Sequence, residues 1–140
     1  MVGSCGDGEI VARNSTLLQK CSFYATIYSK NDLPYTLEEY VTSEGKVPFR
    51  EWLHALRDRR ARAKIRVRLN RVRLGNFGDA KPVGQGVYEL RIPHGPGYRI
   101  YYARTGRRIV LLLCGGDKSS QKRDISKAKD YLADFKRRST

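Results

Sequence analysis

Cysteine is scarce in this chain, and long apolar runs are missing. The three cysteines, Cys5, Cys21 and Cys114, are an odd number without metal-ligand spacing, so no metal held by them is expected and all three read as free thiols of a reducing compartment. Cys114 ends an apolar strand and also reads as a small core residue. No stretch approaches the ~18 apolar residues of a membrane-crossing helix, and no basic-then-apolar leader opens the sequence. A cytoplasmic protein with no membrane partner is the expectation.

Acidic side chains are the other shortage. There are 14 of them against 28 basic ones, a formal charge of +14 over 140 residues. An excess of that size points to a polyanionic partner, most simply nucleic acid. It is also unevenly placed: residues 1–34 balance Arg13, Lys20 and Lys30 against Asp7, Glu9 and Asp32, so the whole excess falls after them. Residues 1–34 read as a weakly patterned extension, in which Leu17, Leu18, Phe23, Tyr24, Ile27 and Tyr28 could form a short packed element. Residues 35–140 read as the functional domain, long enough for one two-layer core.

The domain is organised around GVYELRIPHGPGYRIYY at 86–102. Tyr88, Leu90 and Ile92 alternate with Glu89 and Arg91; after the turn, Tyr98, Ile100 and Tyr102 alternate with Arg99 and Tyr101. This period of two predicts two strands. The segment Pro93-His94-Gly95-Pro96-Gly97 stops both and sets a register in which Ile92 faces Tyr98 and Arg91 faces Arg99. Like charges directly opposite each other destabilise a hairpin, so the pairing suits an anion site; a solvated arginine face is the alternative that pattern alone leaves open.

Tyr35–Thr42 reads as a first strand. Pro48 suits the first turn of a helix with Phe49, Trp52, Leu53 and Leu56 as its apolar stripe. Asp58 is an expected N-cap for a second helix running to Leu74 and closed by Gly75. Ala61, Ile65, Leu69 and Val72 form its inner stripe. Around it stand Arg59, Arg60, Arg62, Lys64, Arg66, Arg68, Arg71 and Arg73 with no acid between them, so an anionic partner is expected there, with Arg66 and Arg73 as RNA contacts. Asn76–Gln85 reads as a loop carrying Lys81. Ile109–Leu113 is apolar on both faces, as an interior strand should be, and Ser119 is the expected cap of a last helix with Ile125, Ala128, Leu132 and Phe135 inward. The order predicts an α+β domain, two helices and a C-terminal helix against an antiparallel sheet.

PFREWL at 48–53, GNFGDAKPVGQGVYELRI at 75–92, GPGYRIYY at 95–102 and LLLCGGDKSSQKRDISKAK at 111–129 closely resemble the addiction-module killer proteins. These are the HigB-like, phage-derived branch of the RelE superfamily of bacterial toxins. The resemblance covers roughly residues 35–137 and implies a RelE-like fold in a toxin neutralised by an adjacently encoded antitoxin, expected to be a helix-turn-helix protein. It implies cleavage of mRNA, commonly on the ribosome, by attack of a 2′-hydroxyl on the neighbouring phosphate without metal or cofactor. A non-catalytic basic module that binds RNA or the ribosome is the alternative.

Carried over by position, Arg99 matches the superfamily's phosphate-contacting arginine. Arg91 falls where relatives frequently carry a lysine or arginine, and Lys118 matches a basic position near the catalytic groups. Forked guanidinium donors suit phosphate oxygens. Where some relatives carry a catalytic tyrosine, this sequence has Ile125, which reads as core. Proton transfer is thereby left to His94, Tyr101, Asp117 or Lys81. Gln121 and Lys122, at the positive end of the last helix, are further expected RNA contacts. Glu89 reads as a partner of Arg91. The nuclease reading requires Arg91 and Arg99 to share a side of the sheet without each being neutralised by a buried acid.

Overall fold

The computed structural model describes residues 33–139; the expectations for residues 1–32, Cys5 and Cys21 included, lie outside them. The elements run β1 (Thr36–Glu39), α1 (Pro48–Ala55), α2 (Arg59–Arg73), β2 (Ala80–Gly84), β3 (Val87–Ile92), β4 (Tyr98–Thr105), β5 (Ile109–Asp117) and α3 (Gln121–Ser139), with a 3-10 turn at Lys118–Ser120 before α3. The five strands form one sheet in the order β1-β5-β4-β3-β2.

Two sequence expectations are corrected here. The sheet is mixed, because β1 pairs parallel to β5 while the other pairs are antiparallel. The segment read as a loop also contains a strand, β2, which proline and glycine had disguised. Pro82 is tolerated because β2 lies at the edge of the sheet, and the register slips between Pro82 and Gly84. The hairpin register came out as expected, with Arg91 opposite Arg99 and Ile92 opposite Tyr98.

Helices cover both faces. On one, Phe49 of α1 and Ala61, Ile65, Leu69 and Val72 of α2 pack on Leu90, Ile92, Ile100, Tyr102, Val110 and Leu112. The α2 stripe is thus the four residues its spacing predicted. On the other, Ala128 and Leu132 of α3 pack on Val87, Tyr101, Ala103, Leu111 and Leu113, with Ile125 and Phe135 against them. Ile125 is a core residue, as its place in the stripe implied. The strand face bearing Glu89, Arg91 and Arg99 therefore lies under α3 rather than in open solvent, and Glu89 and Tyr101 are fully buried.

The caps follow local chemistry. Asp58 accepts from the backbone N–H groups of Arg60 and Ala61 and so starts α2. The last helix is led in by Asp117, whose carboxylate accepts from Ser119 N–H at 2.9 Å, where Ser119 itself was the expected cap; the cap lies two residues earlier because the chain first makes a 3-10 turn. The end of β5 is shaped by Gly115 and Gly116. A Cβ on Gly115 would fall 2.2 Å from the Trp52 ring, and one on Gly116 would fall 1.9 Å from Asp124 Oδ2. Gly115→Ala is expected to destabilise the fold by about 1–3 kcal/mol through overpacking, read as a lower urea midpoint at unchanged slope.

Candidate functional site

Residues directly opposite on neighbouring strands point to the same face, so the register lays out the site in two rows. Lys81, Glu89, Tyr101 and Cys114 form one; Arg91, Arg99 and Gly116 form the next. Glu89 is the pivot. Arg91 Nε lies 3.5 Å from its Oε1 and Arg99 Nε 3.4 Å from its Oε2. Tyr101 Oη donates to Oε2 at 3.1 Å, and Gln121 Nε2, from the first turn of α3, donates to the same oxygen at 2.8 Å. The hydrophobic strand and helix around it remove this carboxylate from water, and such a group persists only with charge and hydrogen-bond partners.

The two guanidinium groups meet on one side, and one buried acid serves both. Each arginine is engaged, but the pair keeps one positive charge in excess. The side chain of Arg91 remains 40% exposed and that of Arg99 10%, so the arginine favoured from the sequence is the more enclosed of the two. Arg99 Nη1 also donates to Gly97 O at 3.1 Å. Lys118 closes that side, its Cβ and Arg99 Nη1 both lying within 4 Å of where a Gly97 Cβ would be. The backbone carbonyl of Arg91 takes a 2.7 Å bond from Arg68 Nη1, which ties α2 to β3 from the far face.

The other expected site residues are scattered. His94 bonds through Nε2 to Asp58 Oδ2 at 3.0 Å and stacks near Tyr98, on the α2 side of the sheet. Tyr101 stays protonated, because burial and then the neighbouring Glu89 charge push its hydroxyl far up. Its hydroxyl donates that proton to Glu89. Asp117 sits at the rim with its carboxyl held low by the Ser119 hydroxyl bond. Lys81 and Lys122 are exposed. Gln121 holds Glu89 rather than facing solvent freely.

Arg66 and Arg73 belong to the opposite face of the sheet, where Arg66 is exposed and Arg73 donates to Asn70 Oδ1. Arg62 and Arg68 also serve the fold, bonding the carbonyls of Leu56, Phe77 and Arg91. Sequence reasoning missed the pivotal role of Glu89, the burial of Asp124, and the Gly115-Gly116 floor. The paired glycines at a strand end were the available signal of close approach.

Burial raises the Cys114 thiol to about 12, so it stays protonated near neutrality. Among the described residues, no group of three or more His, Cys, Asp or Glu side chains could hold a metal ion. No helix among them is long and apolar enough to cross a membrane.

The Asp58–His94 contact gives a pH expectation. The His94 hydrogen bond and then the Ala61 N–H hold the Asp58 carboxyl below its usual range. A depressed carboxylate contributes stability above its unfolded pKa and loses it as pH falls through the folded value. Thermal melts from pH 7 down to pH 3 should show a smaller acid loss in Asp58→Asn, which still caps but does not titrate, than in the wild-type chain.

The family described as "Phage derived protein Gp49-like" matches residues 51–133, more than half of the chain and all of the rows above except their supporting α1 start. The chain belongs to the phage-derived Gp49-like family. An uncharacterized protein of Haemophilus influenzae is 52% identical to this Gp49-like chain over 81 residues, which are 58% of the chain and 82% of that relative. At the level of family this agrees with the four motifs, since Gp49-like proteins are the addiction-module killer, RelE-like toxin family.

Proposed function

We propose that this chain is the HigB-like toxin of a toxin–antitoxin module and acts as a metal-independent endoribonuclease on mRNA, bound at the ribosome in the cytoplasm. The observation that carries the reading is the paired guanidinium groups of Arg91 and Arg99, held across β3 and β4 on one carboxylate with a surplus positive charge. In the reaction, the ribose 2′-oxygen bonds to the adjacent phosphorus and the bond from phosphorus to the 5′-oxygen breaks. One proton leaves the 2′-hydroxyl and one reaches the departing 5′-oxygen.

Negative charge grows on the phosphate oxygens as this happens, and fixed cations placed there lower the barrier. Arg91 and Arg99 supply them, with Lys118 at the rim. Glu89 acts as a positioning residue that aims both guanidinium groups. His94 is bonded to Asp58 on the α2 side and Tyr101 donates to Glu89, so Asp117 and Lys81 are the candidates left for moving the proton.

A second reading, a basic module that binds RNA or the ribosome without cutting, is favoured by one observation: Glu89 already occupies both arginines. Primer extension on transcripts after induction separates the two. New 5′ ends at defined sites support the nuclease, whereas growth arrest with no new ends leaves only the binder. The exposed cations of α2 support a charged landing surface for the antitoxin, and a pull-down of the adjacently encoded protein at low and high salt tests it.

A further inference from the structure

At the end of β5, between α1 and α3, lies a cavity of about 530 Å³. It exists because β1 covers β5 only over Ile109–Leu112, so the last residues of the strand have β4 as their sole strand neighbour and α1 and α3 meet around the bare edge. Trp52 brings an aromatic surface from α1, its ring lying against Gly115, and Tyr131 another from α3. Gly116 pairs with Arg99, so its backbone is one strand spacing, about 4.8 Å, from that of Arg99.

The polar groups in this cavity are of two kinds. Arg123 and Lys127 stand one turn apart on α3, both exposed, and neither makes an ion pair or hydrogen bond among the described residues. Asp124, 7% exposed, lies on Gly116; Ser120 Oγ donates to its Oδ2, while its Oδ1 accepts no hydrogen bond from a described residue. Glu51 and Asp117 also line the walls. A bare anion would be repelled by three carboxylates. A flat ring that offers N–H donors at one edge and carries a phosphate at the other satisfies the aromatics, the buried acid and the two cations together.

We propose that this cavity receives an unpaired guanine of the RNA, stacked at Trp52 and hydrogen-bonded to Asp124, with its phosphate toward Arg123 and Lys127. Guanine is the base whose ring N–H and exocyclic amino group stand side by side, so it can give a carboxylate two donors; adenine, cytosine and uracil offer less. The RNA context rests on the nuclease reading, but base binding can be measured without cleavage.

Trp52 is the single tryptophan of the chain, so its emission reports the cavity directly. Titration of the full chain with the 5′-monophosphates of guanosine, adenosine, cytidine and uridine should give a saturable change at least about tenfold tighter for guanosine. Asp124→Asn should erase that preference, and the exposed double variant Arg123→Ala with Lys127→Ala should weaken all four nucleotides alike while the fold is kept. An equal response to all four, or none from the folded wild-type chain, overturns the proposal. Cutting of transcripts without guanosine binding would refute the cavity alone; guanosine binding without cutting would refute the nuclease and leave the cavity standing.

Discussion

Replacing Glu89 with alanine is expected to cost the fold about 3–5 kcal/mol, the loss typical when one partner of a buried ionic cluster is removed. The carboxylate is 0% exposed and balances two guanidinium groups while accepting from Tyr101 and Gln121. Without it, two cations and two donors face an apolar layer. Glu89→Gln keeps an acceptor oxygen but not the charge, so it should fall between alanine and wild type in chemical denaturation. Paired replacement of Glu89 and Arg99 by methionine should recover much of the loss, because apolar groups of similar volume relieve the desolvation that the ions impose. Recovery of stability with loss of transcript cutting would show that the cluster is there for chemistry. A Glu89→Ala chain as stable as wild type would mean that the carboxylate does not hold the arginines.

Arg99→Lys should lower the rate of transcript cleavage by about 10²–10³, the usual effect of losing one fixed donor at a developing oxyanion, with little change in the melting curve. Lysine keeps the charge near Glu89 but lacks the fork that holds Gly97 O with one arm and Glu89 with another. The conservative variant is the better probe, since Arg99→Ala would also unbalance Glu89. Arg91→Lys should lose less, because Arg91 is the more open group and keeps its charge at the surface. Cleavage by Arg99→Lys within tenfold of wild type would remove Arg99 from the phosphate-binding role.

Much of the fold was legible because period and punctuation agreed. Ala61, Ile65, Leu69 and Val72 fall on one side of a helix and are buried there, and the five-residue turn after Ile92 set the register that puts Arg91 against Arg99. Strand β2 was not legible, because Pro82 and Gly84 are breakers everywhere except at an edge. The burial of Glu89 was hidden for a different reason: alternation of charged and apolar residues reads as one wet face, and nothing local in VYELRI shows that α3 will lie over it. A clue was present farther along. The inward stripe of α3, from Ile125 to Phe135, needs a sheet surface, and the α1 and α2 stripes already claim the other one. The division of the basic residues followed from the same packing: α2 and the arginine pair, which composition lumps together, belong to opposite faces.

The parallel pairing of β1 with β5 joins Thr36 to Ile109, and Gln121 reaches Glu89 only from the far end of the chain. During synthesis, the hairpin bearing Arg91 and Arg99 leaves the ribosome before the segments that complete its sheet and roof its carboxylate. A nascent chain therefore holds these charges in water, unaimed, until its final helix is released.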